Sequence, residues 1–508
     1  MLSGGHDDPT VREFLARQGG RSAAVTLTGW QWLKYQALLA AAAVFYAYDW
    51  KVFLAAVLFA STAFYAVVAG YKLLTLLLSM ALNPALRVAP EELSALEDGA
   101  LPVYTVLLPL YHEPQVAKKL MRAMTALDYP ADRLDIKLLL EEDDQDTRRQ
   151  AEEAGLPPGV EVIVVPHSLP KTKPKACNHG LLRARGEYIV IYDAEDRPEP
   201  DQLKKAVCAF RRLPGKYACL QAKLNYYNPR QNWLTGFFTL EYTAWFDLFL
   251  PGLVALGVPI PLGGTSNHFR AGALRASGGW DPFNLTEDCD LGIRLHEMGL
   301  RTRVLESTTW EEANARLGNW LRQRSRWVKG YFQTHFAHTR HNRQALGRLG
   351  PVGFASFLLT VGGLSLSLLL NPIFWTMGLA FLGLWAGSSL GLTPDPWRLR
   401  YSDTVGDLPG APLTFWSRLS WGFWYAAVAL AWANAAFVLT SVFAAIRRKC
   451  WFLLPHALFS PFYWALISVA AWKGFLQLFT RPFHWEKTRH GLDAGASGKL
   501  APAPPKTT

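Results

Sequence analysis

"EYIVIYDAED", Glu187–Asp196, decides how the rest of the chain is read. Tyr188 to Tyr192 is an unbroken β-branched and aromatic run, the pattern of a strand covered on both faces rather than on one. It ends abruptly on Asp193, Glu195 and Asp196. Carboxylates leaving a buried strand are costly unless a cation meets them. A divalent metal bridging to a diphosphate would meet them, since Mg²⁺ prefers one or two carboxylates plus phosphate oxygens.

Working outward, similar runs precede it at Val103–Tyr111, Ile136–Asp144 and Val160–His167, with helix-like segments between, among them Gln115–Leu127 and Asp146–Ala154. Buried strands alternating with helices predict a mostly parallel, Rossmann-like α/β sheet. Ligands sit at the carboxyl ends of such strands, where the acidic clusters fall. The α/β region spans 84–350.

Apolar stretches flank it. Trp32–Tyr48 and Val52–Leu82, parted by Asp49-Trp50-Lys51, form a predicted transmembrane hairpin (31–83) after a polar segment (1–30). Each is long enough for a hydrocarbon core of about 30 Å. Beyond Gly350 come Val352–Leu370, Ile373–Leu392, Leu419–Ile446 and Leu453–Phe479, a C-terminal bundle (351–480). Six crossings are expected, within a range of five to seven. Pro455 and Pro461 mark a part of the last stretch for the interface. If all four cross, Arg447-Arg448-Lys449 lies on the outer side, against the positive-inside rule; if one only dips in, the cluster joins the α/β side. The tail 481–508 ends in a Pro/Ala/Lys stretch expected to be disordered.

Composition agrees. The 508 residues are half hydrophobic and 18% charged, with 20 tryptophans and net charge +11. Aromatic enrichment suits membrane interfaces. The positive charge suits membrane flanks and an anionic substrate; no basic arm or reading motif points to nucleic acid. Five scattered cysteines, with no CxxC pair, argue against disulfides or zinc and for a reducing compartment. No cleavable signal peptide is visible.

Further motifs follow in order. "EEDDQDT" (Glu141–Thr147) is a second acidic strand end, and "KTKPKACNHG" (Lys171–Gly180) offers three lysines before a helix, suited to a nucleotide phosphate. "GGTSNHFR" (Gly263–Arg270) has small residues that allow close backbone approach. "NLTEDCDLGIRL" (Asn284–Leu295) sets Thr286, Glu287 and Asp288 at a helix start, with Thr286 as N-cap. "QRSRWVKGYF" (Gln323–Phe332) puts Gln323, Arg326 and Trp327 on one helical face. Arg324 falls off that face and reads as a surface charge; Lys329, Tyr331 and Phe332 read as interface residues. Asn232–Leu250 and Glu311–His335 are expected to lie along a membrane surface.

The order DAED, TED, QRSRW, within membrane flanks, resembles the family 2 inverting glycosyltransferases of the cellulose synthase-like class, over about Val103–Gly330. The resemblance implies a GT-A catalytic domain in a polytopic bacterial inner-membrane protein, with that domain cytoplasmic. It implies that Asp193, with Glu195 or Asp196 as the second acid, holds a donor diphosphate through Mg²⁺ or Mn²⁺. Lys175, Gln323 and Arg326 would meet the nucleotide sugar, as would an acid of the first cluster, whose register among Glu141, Glu142, Asp143 and Asp144 stays open; Glu141 and Asp144 are the candidates carried forward. Asp288 matches the general base. Gly264, Thr265, Ser266, Glu287 and Trp327 would line the acceptor site.

A carboxylate base, a metal-held leaving group and one displacement give inversion and a β-linkage. The membrane flanks and nucleotide-site pattern disfavour hydrolysis. The expected activity is processive synthesis and export of a β-glycan, with UDP-glucose the first donor by analogy. Its partners would be the donor, the nascent polysaccharide, membrane lipid, and accessory or export proteins. The alternative is a single transfer to a lipid acceptor.

Overall fold

The computed structural model describes residues 8–112, 120, 123–153, 156, 159–392 and 415–487. The chain opens with α1 (Pro9–Gln18) and the antiparallel hairpin α2 (Gly29–Tyr48) and α3 (Trp50–Leu82). Thr28 and Gln31 form a capping box at the start of α2. Asp49 caps α3 through the backbone N–H groups of Lys51 and Val52.

The α/β region carries β1 (Tyr104–Leu110), β2 (Leu134–Glu141), β3 (Val160–Val165), β4 (Tyr188–Ile191), β5 (Arg197–Pro198), β6 (Tyr217–Tyr226), β7 (Asn267–Arg270) and β8 (Arg301–Glu311). They form one sheet in the order β3-β2-β1-β4-β7-β6-β8-β5. Pairing is parallel from β3 to β4 and between β6 and β8; β7 lies antiparallel between β4 and β6. Alternate side chains go to opposite cores. Leu107, Leu139, Ile189 and Ile191 pack on one face; Val106, Leu108, Leu138 and Val190 pack on the other. Such double coverage is why these strands read as continuous apolar runs. Truncating any of these leucines to alanine costs about 2–5 kcal/mol.

Around the sheet lie α4 (Gln145–Glu153), α5 (Lys173–Arg183) and α6 (Gln202–Arg212). Then α7 (Trp233–Ala244) runs through a π-turn (Trp245–Phe249) into α8 (Leu250–Leu256). α9 (Glu287–Glu297) carries the TED carboxylates, and α10 (Leu317–His338) the QxxRW set. These two helices touch at Gly330, where a Cβ would stand 2.6 Å from the Thr286 hydroxyl. Only glycine lets them approach so closely.

The expected helix over Gln115–Leu127 lies mostly outside the described residues, as does the tail beyond 487. Other expectations change. Val352–Leu370 and Ile373–Leu392 are not two spans: α11 (Asn342–Phe357) kinks at Gly350 (φ 70°), and from Pro351 the chain runs on through a π-turn (Leu358–Gly363) and α12 (Leu364–Ser389) as one rod, with Pro372 inside it. α13 (Phe415–Arg447) returns, and α14 (Ser460–Thr480) follows a short helix at Leu454–Leu458. Pro461 starts α14 rather than breaking it, because a proline in the first helical turn forfeits no bond. Among the described residues, four helical segments are long and apolar enough to cross a membrane: Trp50–Leu82, Asn342–Thr376, Val428–Arg447 and Ser460–Thr480.

With one rod in place of two spans, the basic cluster falls on the side of the α/β region. Arg448 pairs with Asp247 of the π-turn after α7, and Arg447 donates to Asn83 at the end of α3 (2.5 Å). α14 lies alongside α10. Tyr463 meets Arg324 (3.1 Å) and Phe475 packs on Phe332 (5.3 Å). Gly474 comes so close to the Ser325 carbonyl that no side chain fits. The segment 481–487, expected as the start of a tail, instead crosses back over α10. Lys329 donates to the Arg481 and His484 carbonyls (3.1 and 3.0 Å), and Gln333 to that of Pro482 (3.1 Å). The polar start is docked as well: Asp8 accepts from Ser168 (3.0 Å) and meets His179 (2.9 Å).

Candidate functional site

One cavity of about 620 Å³ begins at the carboxyl ends of β1, β2 and β4 and continues among α3, the α11–α12 rod, α13 and α14. Its donor end is built by the turn after β4. Asp193 and Glu195 face the cavity. Asp196 is turned inward, 1% exposed, and braces the turn: its Oδ2 accepts from the Asp193 backbone (2.8 Å) and from the Thr265 hydroxyl. Its Oδ1 has no partner. Burial, then the charges of Asp193 and Glu195, push the Asp196 carboxyl well above the usual range.

The three lysines part company: Lys171 lines the cavity and pairs with Asp143, and the two at the start of α5 diverge. Lys173 reaches the cavity, 2.5 Å from Asp193 Oδ1, and donates to the Gly264 carbonyl (2.6 Å). Burial pulls its pKa down, but Asp193 and Glu287 lift it above that of an ordinary lysine. Lys175, the residue expected near the nucleotide, is fully buried behind the wall. It donates to Glu141 (3.2 Å) and to the Pro166 and Ser168 carbonyls (3.2 and 3.1 Å). Glu141 itself lines the cavity. Asp144 does not; it accepts from the backbone of His112 and of Thr147 (3.2 Å), holding the loop after β2 to the end of β1. Of the four acids of that cluster, Glu141 is the one that lines the cavity.

Glu287 and Asp288 face it from the start of α9, opposite Gly264 and Thr265; Ser266 lies behind, bonded to Thr309 (2.7 Å). The expected Thr286 side-chain cap is absent. Thr286 holds the N-cap position, but its hydroxyl makes no capping bond and turns toward Asn284 (3.4 Å). Asp288 Oδ1 accepts from the Cys289 backbone (2.8 Å). Burial raises the Asp288 carboxyl to about 6, and burial plus the neighbouring Asp288 raises Glu287 to about 8. Glu311, at the end of β8, joins them with one carboxylate oxygen unpartnered. The sequence reading missed it, because a lone glutamate at a strand end carries no pattern.

Acid thus outweighs base at this end, and an ammonium already stands against Asp193. That donor set fits a divalent cation held by Asp193 and Glu195 and completed by substrate phosphates. Among the described residues no group of three or more His, Cys, Asp or Glu side chains forms a protein-only metal cage.

α10 supplies the other wall. Gln323 accepts from Asn314 (2.7 Å); Arg326 donates to the Glu486 carbonyl (3.3 Å) and lies 4.2 Å over the Trp485 ring. Trp327 stacks near Tyr242 (6.1 Å) and Phe238 (5.8 Å). Arg324 is not a surface charge. It is 7% exposed, lines the cavity, pairs with Glu241 and sits 4.7 Å from the Trp327 ring. Tyr463 of α14 donates to the same Glu241 (2.8 Å). Nor do Lys329 and Phe332 serve an interface: both are buried, Lys329 completely. Trp485 and Lys487 bring the crossing segment into the cavity wall, and Lys487 reaches the His112 carbonyl (2.8 Å).

Comparison with known proteins bears on this arrangement. The profile of Glycosyl transferase family group 2 matches residues 188–478, and that of Glycosyl transferase family 2 matches 105–267. Curated relatives include Probable glycosyltransferase YdaM of Bacillus subtilis, 29% identical over 45% of this chain and 55% of that protein. A Beta-monoglucosyldiacylglycerol synthase of Trichormus variabilis is 26% identical over 47% and 50%. Probable glucomannan 4-beta-mannosyltransferase 7 of Oryza sativa is 28% identical over 46% and 41%. The chain spans about half the length of these relatives. Among solved structures, the mannosyltransferase PcManGT from Pyrobaculum calidifontis, in complex with GDP-Man and Mn²⁺, aligns over 83% of this chain and 99% of that one, at 19% identity and TM-score 0.49. Glucosyl-3-phosphoglycerate synthase from Mycobacterium tuberculosis, with Mg²⁺ and UDP, aligns over 52% and 85%, at 18% identity and TM-score 0.33.

Proposed function

The chain belongs to Glycosyl transferase family group 2, and we propose that it is an inverting membrane hexosyltransferase that lengthens a β-glycan from a nucleotide sugar and passes the polymer between its membrane helices. UDP-glucose is the first donor to test. The observation that carries this reading is the continuity of the cavity: the walls that hold Asp193 and Asp288 run on, past Trp327, into walls of α3, α12, α13 and α14. A lengthening chain needs such a path; a single transfer does not.

In this mechanism Asp288 takes the proton from the acceptor hydroxyl as it attacks the anomeric carbon. Its raised pKa suits a base working near neutral pH. Mg²⁺ or Mn²⁺ held by Asp193 and Glu195 would supply charge stabilisation of the departing diphosphate. Lys173 and Arg326 would meet phosphate oxygens of the donor. Trp327 offers a flat apolar face to the terminal sugar of the acceptor, and Glu287 and the Gly264–Thr265 backbone border the same space.

The second reading is a single transfer to a lipid, favoured by the likeness to the diacylglycerol-directed relative. Purified protein in lipid vesicles, given radiolabelled UDP-glucose, UDP-N-acetylglucosamine and GDP-mannose in turn, separates the two. Label in alkali-stable polymer supports the glycan reading. One sugar on a solvent-extractable lipid overturns it.

A further inference from the structure

A second cavity, of about 370 Å³, opens away from the first, where the starts of α2 and α11 meet the end of α10. Trp30, Gln31, Lys34 and Tyr35 form one wall, and 339–344 the other. Its charged and titratable lining is Lys34, Arg340, His341 and Arg343, with no carboxylate. Lys34 and Arg343 are exposed, and among the described residues neither makes an ion pair. Arg340 is different. It is 8% exposed and spends both amino nitrogens on backbone carbonyls, on Gly20 and Ser22 at 2.9 Å each and also on Val25. Its Nε is buried with no partner. The first turn of α11 has no side-chain cap, and with the Gln344 N–H spent on the His341 carbonyl (3.0 Å), the Asn342 and Arg343 N–H groups are the ones left to meet a ligand.

We propose that this cavity binds the phosphate of an anionic membrane phospholipid. A phosphate oxygen would take the Arg340 Nε–H and the free N–H groups of α11, while Lys34 and Arg343 supply charge. Basic pockets between membrane helices hold anionic head groups in this way. The occupant is a lipid rather than free phosphate because the rim is apolar and faces outward at the foot of α2. Trp30 is 69% exposed, Leu33 56% and Leu38 64%, a strip along which acyl chains lie. Arg340 also grips the segment 20–25, whose Ser22 and Ala23 bind Asp281 (2.9 and 2.6 Å) in the loop leading to α9. A bound lipid therefore braces the N-terminal segment against the catalytic region. The site stands whichever acceptor the enzyme uses.

The test compares full-length protein in nanodiscs of phosphatidylcholine with and without phosphatidylglycerol. Melting temperature and lipid retained in native mass spectrometry are read for the wild type and for Lys34→Gln/Arg343→Gln. The wild type should melt higher with phosphatidylglycerol and keep it. The double variant should melt like the wild type in pure phosphatidylcholine yet lose about 25-fold in preference, about fivefold for each basic side chain. An equal shift in both proteins, or no shift in the wild type, overturns the proposal. So does a shift of the same size produced by glycerol phosphate or inorganic phosphate alone, which would make this a free-phosphate site.

Discussion

Asp288 and Arg324 are the residues on which activity should turn most sharply. Asp288→Asn keeps the shape and removes the base, so sugar incorporation should fall about 10²–10⁴-fold with the protein still folded. In the wild type, a base whose carboxyl is raised to about 6 must lose its proton to act. Activity should therefore rise with pH through about 6 and level off above it, the apparent value belonging to the coupled Glu287–Asp288 pair. A profile flat from pH 5 to 8 would remove Asp288 from the role. Arg324→Ala unpins Trp327 and leaves Glu241 to Tyr463 without its cation. The expected result is an elongation rate lower by about 10–100-fold, with donor affinity unchanged, measured as donor KM against polymer length. At this scale the sequence was legible where pattern and geometry agree. Asp193, Glu195, Glu287, Asp288, Gln323, Arg326 and Trp327 all line one cavity. It was illegible where two like residues compete. Lys173 and Lys175 stand two apart, so a helix sends them to opposite sides, and only the placement of α5 decides which one meets Asp193.

Among the elements, α9 and α10 are locked by one buried histidine. His338 lies between Asp290 (2.9 Å) and Glu297 (3.0 Å), while Arg294 holds Asp290 from the other side (2.7 Å) and Arg21 also meets Glu297. Burial works against the imidazolium, but the two acids raise it to about 9. A pKa raised on folding stabilises the fold fully below the unfolded value of about 6.5. That contribution is lost as pH rises through about 9. The melting temperature should thus fall between pH 7 and 10, and His338→Gln should be less stable at pH 7 and lose most of that slope. The strands were readable in the sequence because each is an apolar run with a sharp end. The single α11–α12 rod was not, since Pro372 suggests a break and the neighbouring helices that hold the rod together lie far away in sequence. Arg324 was misread for the same reason: it leaves the QxxRW face, but α7 and α14 cover the side it turns to.

Taken whole, the cavity is walled jointly by the α/β region and by the membrane-length helices. The cavity wall includes Tyr65 and Lys72 of α3, Asn371 of α12, Phe437 of α13 and Trp464 of α14, besides Trp485 and Lys487. A fragment of residues 84–350 should therefore bind donor weakly and form no polymer, and removal of 481–508 from the full chain should abolish elongation while leaving the membrane helices inserted, as protease protection would report. The α/β sheet between apolar flanks was legible from the pattern of short apolar runs alternating with helices, whereas the contacts of 481–487 lay hidden in a stretch with no apolar periodicity.

The position of that closing segment also sets a timetable. Every strand of the sheet, the TED helix and the QxxRW helix leave the ribosome before it, as do the membrane helices. Until Arg481–Lys487 emerges, Lys329 lacks its carbonyls, Arg326 lacks Trp485, and the cavity lacks the part of its wall that Trp485 and Lys487 supply. A half-made chain therefore has its sheet and its membrane-length helices before its cavity is fully walled, and the site takes its shape only when Trp485 and Lys487 arrive.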